Sequence, residues 1–498
     1  MDEVSFAYGL ANKLAHRNLL TGSQGFNLRK FRGFHENLDA FIDCHNHICM
    51  CMWLNYNKSH MYVHITLNKN RSNSVRQPST PPARADWLEL MNHDDVTPLT
   101  PLMTDAIQLS FRVDYQFAVH MTRDVFAPDN QILADILSPV VNARPSRALV
   151  FIDERVVAAF PHLPRQIHAW FGLHEARGIR LAAAPEIVTG GEAAKGSFAI
   201  VERVGRTCFD LGICRHSYIV IIGGGAVLDA VGFAASLVHR GIRQIRLPTT
   251  TLAQGDAGLG VKNAINAFGA KNFLGTFTPP RAIINDSRFL EAQDDRSWRA
   301  GVAEAVKVAA IKDAAFIHEL AELAPRIAAR DLAALERVVR RSAELHLDHI
   351  TRAGDPFEQG SSRPLDFGHW SAHRLEGLTN HRLLHGEAVA IGVSLDLLYA
   401  VEIGRITQAE ADLGLGILAT VGFRLWDEVL DLRDAQGRRL VYAGLEQFRE
   451  HLGGELTLAM PDGLGRQRDV VTFDEAACER ALHVLKRWKS RSAVPTSP

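Results

Sequence analysis

Residues 222–289 read IGGGAVLDAVGFAASLVHRGIRQIRLPTTTLAQGDAGLGVKNAINAFGAKNFLGTFTPPRAIINDSRF. The apolar run Tyr218 to Ile222 that feeds this stretch reads as a buried strand and stops at Gly223-Gly224-Gly225, after which an Ala-rich apolar segment has the character of a helix. Three glycines at a strand-to-helix turn let the backbone approach a ligand closely and aim its N–H groups at an anion, and the helix N-terminus adds the positive end of its dipole. A second strand, Gln244 to Leu247, runs into Pro248-Thr249-Thr250-Thr251, and a polar loop follows with Asp256, Lys262, Asn266, Lys271 and Asn272. A dinucleotide site therefore sits beside a site for a phosphorylated substrate. Alone, the glycine run also fits a plain tight turn, and the spacing G-x-G-x-x-G is absent. The combination of strand, glycines, helix and cationic loop carries the reading.

Outward from this stretch, Phe111 to Val119 alternates like a half-buried strand, Ala148 to Ile152 reads as a buried strand ending at Asp153, and Arg180 to Ala183 is a further candidate. Helical segments at Asp129 to Leu137 and Pro164 to Glu175 separate them, which implies a parallel sheet with helices on its faces. Beyond Asp286 the strand signals fade, and Trp298 to Ala314, Leu332 to Leu347 and Ala388 to Ile403 carry helical periodicity. The expected fold is an α/β, Rossmann-like nucleotide-binding domain followed by a mostly α-helical domain, with boundaries at 108–286 and 287–490.

The first hundred residues differ. Cys44-His45-Asn46-His47, Cys49 and Cys51 lack the paired CxxC spacing of a zinc module. The polar stretch Asn68 to Arg84 reads as a linker, and residues 1–107 as a poorly ordered extension. Of the 498 residues, 47% are hydrophobic, enough for large cores, and the formal net charge of −1 gives no reason to expect a nucleic-acid or anionic-membrane partner. No stretch of about 18 residues is free of polar groups, so no spanning helix is expected. The acidic start Met1-Asp2-Glu3 and six scattered cysteines lead to the expectation of a cytoplasmic protein without a disulfide framework.

The stretch from Gly223 to Asn272 resembles the sugar phosphate cyclases, the family of 3-dehydroquinate synthase. The shared pattern is GGG-x-x-x-D (Gly223 to Asp229), R-G (Arg240-Gly241), P-T-T (Pro248 to Thr250), Q-x-D (Gln254, Asp256), G-x-K (Gly260, Lys262) and K-N (Lys271-Asn272), in order and without a gap. The resemblance extends over about Phe111 to Trp488. It implies NAD used catalytically and one divalent metal, zinc or cobalt. A hydroxyl is oxidised, phosphate is eliminated, the ketone is reduced again and an intramolecular aldol closes a carbocycle.

Three segments in the helical half offer ligand-type side chains: Glu304 and Lys307 three apart on one helix, His369 and His373 in Asp366-Phe367-Gly368-His369, and His385 in His385-Gly386-Glu387. One carboxylate and two imidazoles form a catalytic zinc arrangement. Spacing alone nominates His369 with His373, one helical turn apart. The resemblance instead implies Glu304, His369 and His385 as metal ligands. It places Lys262, Asn272 and His373 at the substrate phosphate, and Lys271, Lys307 and Asp256 around substrate and nicotinamide. Arg240 would reach the phosphate from a partner subunit, implying a homodimer. The glycine turn, with Asp229, Thr249 and Thr250, belongs to the cofactor site; Glu192 and Lys195 match an element on the nucleotide's ribose side; and Asp153 matches the acidic residue at the adenosine ribose, which favours NAD over NADP.

Departures from dehydroquinate synthase cluster on the substrate carboxylate. The lysine position falls near His349, Arg363 stands one residue out of register, Asp366 replaces the Asn of N-F-G-H, and paired C-terminal lysines are missing. Phe448 to Gly454 resembles the branch of the epi-valiolone synthases, users of sedoheptulose 7-phosphate, although His373 is kept; the chain is most similar to the EboD-type cyclases. The expected activity is a phosphate-eliminating sugar phosphate cyclase whose substrate lacks a carboxylate. Dehydroquinate synthase proper, acting on the seven-carbon keto-acid phosphate, and a metal- and NAD-dependent polyol dehydrogenase are the alternatives.

Overall fold

The computed structural model describes the backbone at 27–30, 37–44, 48–57 and 60–68 and, apart from 140–143, 353–356, 358–363, 452–453 and 455, residues 113–491. The chain divides into two compact units, Met1–Ser110 and Phe111–Pro498. In the first, β1 (Asn27–Lys30), β2 (Asn37–Cys44), β3 (Ile48–Asn57) and β4 (His60–Asn68) form an antiparallel meander in sequence order, in a stretch to which sequence reading assigned no element. The side chains of the Cys44 to Cys51 cluster, and the expected linker beyond Asn68, lie outside the described residues.

The second unit holds a seven-stranded sheet. Its strands are β5 (Ala118–Thr122), β6 (Ser146–Asp153), β7 (Ile179–Leu181), β8 (Glu186–Val188), β9 (Tyr218–Gly223), β10 (Arg243–Pro248) and β13 (Ala282–Asp286), ordered β5-β13-β10-β9-β6-β7 with β8 also on β6. Every pairing is parallel. Parallel strands covered on both faces read as unbroken apolar runs, and β9 is buried at every position. Its side chains split by parity. Val220 and Ile222 pack with α1 (Ile132–Leu137), α2 (Glu154–Ala159) and α3 (Leu163–His174), while Ile219 and Ile221 pack with α4 (Ala199–Asp210) and α5 (Gly225–Leu237). From β6 the chain leaves toward β7 and β8, and from β9 toward β10. The sheet's switch point therefore lies between the ends of β6 and β9, where Asp153 and Gly223 stand.

Two expectations are corrected. The alternation beginning at Phe111 forms a strand only from Ala118, because β13 pairs with that edge only over Ala118 to Thr122. The segment expected as a polar loop is largely a hairpin, β11 (Lys262–Ala267) with β12 (Ala270–Phe277). Its two-residue turn, Phe268-Gly269, has φ of 54° and 77°, the positive pair that matches strand twist.

Helices α6 (Asp295–Lys312), α7 (Ala314–Ala328), α8 (Leu332–Arg352), α9 (His369–Leu378), α10 (His385–Glu402), α11 (Gln408–Val421), α12 (Ala443–His451) and α13 (Glu475–Arg491) form the second half around one apolar core. A small hairpin, β14 (Leu458–Pro461) with β15 (Gln467–Val470), interrupts the helices where no strand was expected. Helix α6 is buried at every position from Ala300 to Ile311, so it carries Glu304 and Lys307 into the interior. Among the described residues no helix is long and apolar enough to cross a membrane.

Candidate active site

The glycine turn ends β9 at the switch point. A Cβ on Gly223 would come within 2.8 Å of Val227 and 3.2 Å of Asp153, and one on Gly225 within 3.2 Å of Ala257, so side chains there would fill the crevice. The Thr249 amide donates to Gly223 O (3.0 Å), and Thr250 Oγ1 accepts from Ala253 N (3.1 Å), which locks the P-T-T turn beside the glycines. Asp153 is buried and accepts from Arg155 N at 2.8 Å. Burial raises its pKa, with the Arg155 N–H bond opposing. A dinucleotide would thus find the N-terminus of α5, a bare backbone and an acidic residue together.

Lys195, only 3% exposed, donates to Asp229 Oδ2 (2.6 Å) and to Asn272 Oδ1. Asn266 Oδ1 accepts from Asn272 N (2.9 Å), and its Nδ2 donates to Glu192 Oε1 (2.8 Å). The hairpin is therefore tied to the Glu192–Lys195 turn through Asn272, Asn266, Lys195 and Glu192. Asn272 faces Lys195 in this arrangement.

In the helical half, Glu304 Oε1 lies 3.2 Å from His385 Nε2 and 3.5 Å from His369 Nε2, and the three ligand atoms lie within 4.8 Å of one another. Two local devices make this possible. Gly368 takes φ +79°, turning the chain sharply before His369, and Gly386 lets α10 begin against α6, where a Cβ would meet Ala300 O at 2.6 Å. The donor set fits a cation. His369 Nδ1 lies 3.1 Å from Phe367 O and His385 Nδ1 lies 3.2 Å from Glu376 Oε2; both partners are acceptors, so both Nδ1 atoms carry the proton. Both Nε2 atoms then converge on a carboxylate oxygen, an arrangement satisfied by a positive charge there, either a metal ion or a proton on His385.

That charge pattern is reinforced around it. Lys307 Nζ contacts Glu304 Oε2 at 2.6 Å and Asp256 Oδ2 at 3.8 Å. Burial opposes the ionised Glu304, yet Lys307 and then His369 hold its carboxyl well below the usual range. Burial likewise opposes the His385 imidazolium, but Glu304 and Glu376 push its pKa up to about 9. Asp366 sits half-buried before Gly368 and adds its field to Lys307. His373 lies beside the cluster, its ring centroid 5.3 Å from His369 and 6.0 Å from His385. Spacing nominated His369 with His373; Glu304 instead faces His369 and His385, while His373 groups with Glu376 and His385.

Lys271 Nζ donates to Glu376 Oε1 at 2.9 Å, which joins the hairpin to the cluster. Lys262 is exposed at the start of β11. Arg240 is exposed just past the end of α5, and 13 residues of helix, about 20 Å, separate it from the glycine turn. His349 lies near the end of α8, and its expected companion Arg363 falls outside the described residues.

Sequence reading missed three residues. Glu376 shares a helical face with His369 and His373 at spacings of seven and three, a signal that was available. His346, buried on α8, places Nε2 3.2 Å from Asp256 Oδ1. Arg246, 1% exposed in β10, donates to Gly258 O, Gly260 O, Lys262 O and Asn263 Oδ1 and so shapes the loop before the hairpin. Nothing local distinguishes those two, whose partners are set by the folding of distant segments.

A nucleotide-type crevice at a parallel sheet's switch point, with a buried cation site in a helical half, defines a class of two-part enzymes that use a dinucleotide and a metal. The comparisons narrow it. Residues 186–300 match the family model of the 3-dehydroquinate synthase N-terminal region and residues 301–437 that of its C-terminal region. The chain is 34% identical over 332 residues to the 3-dehydroquinate synthase of Aeropyrum pernix, covering 67% of this chain and 87% of that one. It is 31% identical over 376 residues to the 2-epi-5-epi-valiolone synthase of Streptomyces glaucescens, covering 75% and 92%. Among solved structures, the 2-epi-5-epi-valiolone synthase of Streptomyces hygroscopicus, with NAD+ and Zn2+ bound, superposes with a TM-score of 0.66 at 28% identity, covering 77% of this chain and all of that one. The chain belongs to the 3-dehydroquinate synthase family of sugar phosphate cyclases.

Proposed function

We propose that the protein is a phosphate-eliminating cyclase that binds NAD at the β6–β9 crevice and one divalent metal at Glu304, His369 and His385. The observation that carries the reading is the continuous chain Glu304–His385–Glu376–Lys271, which sets an ammonium group beside the cation site. A polyol dehydrogenase needs only the cation; an enzyme that also expels phosphate needs both. When bound, the metal would polarise the hydroxyl that NAD oxidises. Around it, Lys262, His373 and Asn272 would hold the phosphate as it leaves, with the Lys271 ammonium beside them, and Lys307 and Asp256 would fix the orientation of Glu304 and of the substrate's hydroxyls. Asp153, Glu192, Lys195 and Asp229 would bind the ribose side, with Gly223, Gly224 and Gly225 under the pyrophosphate and Thr249 and Thr250 beside it. Arg240, remote from its own chain's glycine turn, would serve the phosphate site of a second copy in a homodimer.

The substrate in this reading is a ketose phosphate without a carboxylate, such as sedoheptulose 7-phosphate. The support is chemical: the sequence offers His349 and a displaced Arg363 in place of the family's Lys/Arg pair, and an unpaired substrate carboxylate costs about 2 to 5 kcal/mol. The 34% identity to a 3-dehydroquinate synthase favours the keto-acid phosphate as the second reading. Metal-loaded protein with NAD should release phosphate from sedoheptulose 7-phosphate with higher kcat/KM than from the keto acid, with no net NADH. A higher kcat/KM for the keto acid would establish the second reading. NADH accumulating from a polyol without phosphate release would overturn both.

A further inference from the structure

We infer that His346 is a positioning residue that holds the Asp256 carboxylate open toward the substrate, a role that rests on the cyclase reading and adds a residue to its site. His346 is 1% exposed on α8, and each ring nitrogen faces one acceptor. Nδ1 lies 2.9 Å from Ser342 O, one turn back on the helix, and Nε2 lies 3.2 Å from Asp256 Oδ1. Among the described residues Nε2 has no other polar partner. With acceptors on both sides, one proton stands at Nδ1 and another between Nε2 and Asp256. A buried nitrogen is costly to leave unpaired, so His346 fixes where Asp256 Oδ1 stands.

Asp256 stands between the nucleotide crevice and the cation site. It lies in a single π-helical turn, Ala253–Ala257, whose last residue abuts the glycine turn, since a Cβ on Gly225 would come within 3.2 Å of Ala257. Its other oxygen, Oδ2, is 3.8 Å from Lys307 Nζ, which holds Glu304 Oε2 at 2.6 Å. In the chain His346–Asp256–Lys307–Glu304, the Asp256 side chain is 26% exposed and the other three are buried. Asp256 is thus the member that a substrate hydroxyl can reach. Helix α8 grips the same turn a second time, Ser342 Oγ donating to Gly255 O at 3.2 Å. With Oδ1 tied to His346, Oδ2 stops short of a close pair with Lys307 and stays open to a hydroxyl. Without the tie, the carboxylate is free to turn onto the Lys307 ammonium, and the hydroxyl loses its acceptor.

The test separates the two ring nitrogens in the full-length, Co2+-loaded protein. An Asn amide stands near the place of Nδ1 and a Gln amide reaches that of Nε2, so His346→Gln keeps a donor for Asp256 and His346→Asn keeps only the one for Ser342 O. With NAD, phosphate release is measured from sedoheptulose 7-phosphate and from the keto-acid phosphate, and the better substrate is used throughout. His346→Asn should lower kcat/KM about 10- to 100-fold, and His346→Gln should stay within about threefold of wild type. Without NAD, binding of the same sugar phosphate, read from the visible Co2+ bands, should weaken in His346→Asn and not in His346→Gln. Bound Co2+ per chain and NAD affinity should be unchanged in both. In an Asp256→Asn background, His346→Asn should cost less than about twofold more, because it acts through Asp256. His346→Leu, with neither donor, replaces His346→Asn if that variant does not fold, and the Asp256→Asn background decides if His346→Gln does not. Unchanged kcat/KM in His346→Asn, equal losses in Asn and Gln, a loss in Gln alone, or losses that add in the double variant would make His346 a helix-packing residue and overturn the inference alone. Wild type that releases phosphate from neither sugar phosphate overturns the cyclase reading with it.

Discussion

At the residue scale, the site depends on which nitrogen of each imidazole is committed elsewhere. Phe367 O and Glu376 hold the Nδ1 protons of His369 and His385, and this leaves both Nε2 atoms turned toward Glu304. Such a site binds a cation only in competition with protons. Replacing His385 by Ala removes one of three donors, and the expected outcome is a fall from about one bound divalent ion per chain to none. NAD affinity should stay within about threefold, because the glycine turn belongs to the sheet half. Elemental analysis after dialysis, with NAD binding followed by fluorescence, checks both; retained metal would mean that His385 is not a ligand.

At the element scale, α10 does two tasks with one face. His385 stands at its start, and three turns on, fully buried, Asp396 accepts from Gly368 N and Trp370 Nε1, both at 2.9 Å. Asp396 thereby anchors the turn that presents His369. Burial pushes its carboxyl up to about 7, with the Trp370 and Gly368 bonds opposing. A carboxyl with a higher pKa in the folded than in the unfolded chain keeps its proton in the fold. Between about pH 4 and 7 the folded state then binds more protons, and its contribution to stability falls as pH rises. Urea denaturation at pH 5 and pH 8 should show a smaller loss of stability for Asp396→Asn than for wild type; equal losses would refute this. At the other end of the helix, Gly386→Ala would force a Cβ to 2.6 Å from Ala300 O. The expected cost is about 1–3 kcal/mol in urea denaturation, together with weaker metal binding as His385 is pushed away from Glu304. Unchanged stability would mean that α10 can shift freely against α6.

At the scale of the whole molecule, the candidate site is divided between halves that meet over the hairpin. Lys271 and Asn272 project from one short ribbon toward opposite partners, Glu376 in the helical half and Lys195 beside the nucleotide crevice. The 1–110 unit is a separate compact body, and the family match begins at residue 186. A protein starting at Phe111 is therefore expected to fold, to melt within about 3 °C of the full chain and to keep its phosphate-releasing activity. Circular dichroism melts and the phosphate assay measure this, and aggregation of the shortened protein would show that the first unit supports the second.

What the sequence determined by itself was everything carried by local pattern. The apolar run ending in Gly223-Gly224-Gly225 specifies a buried parallel strand and an anion-ready turn, because neighbouring residues alone decide backbone freedom and burial. The long helices from Trp298 onward were legible for the same reason. The hairpin was not, since Phe268-Gly269 lacks the usual Asn-Gly turn signal and its strands alternate weakly. Spacing paired His369 with His373, and the family resemblance chose His369 with His385; the physical reason Glu304 faces these two lies in the tertiary structure, where the φ +79° turn at Gly368 and the close crossing at Gly386 set α9 and α10 against α6. Tertiary structure alone also joined Glu376 to Lys271 across 105 residues and Arg246 to the loop beyond it. Such contacts have no sequence signature, because a buried charge is stabilised by whatever partner the rest of the fold brings to it.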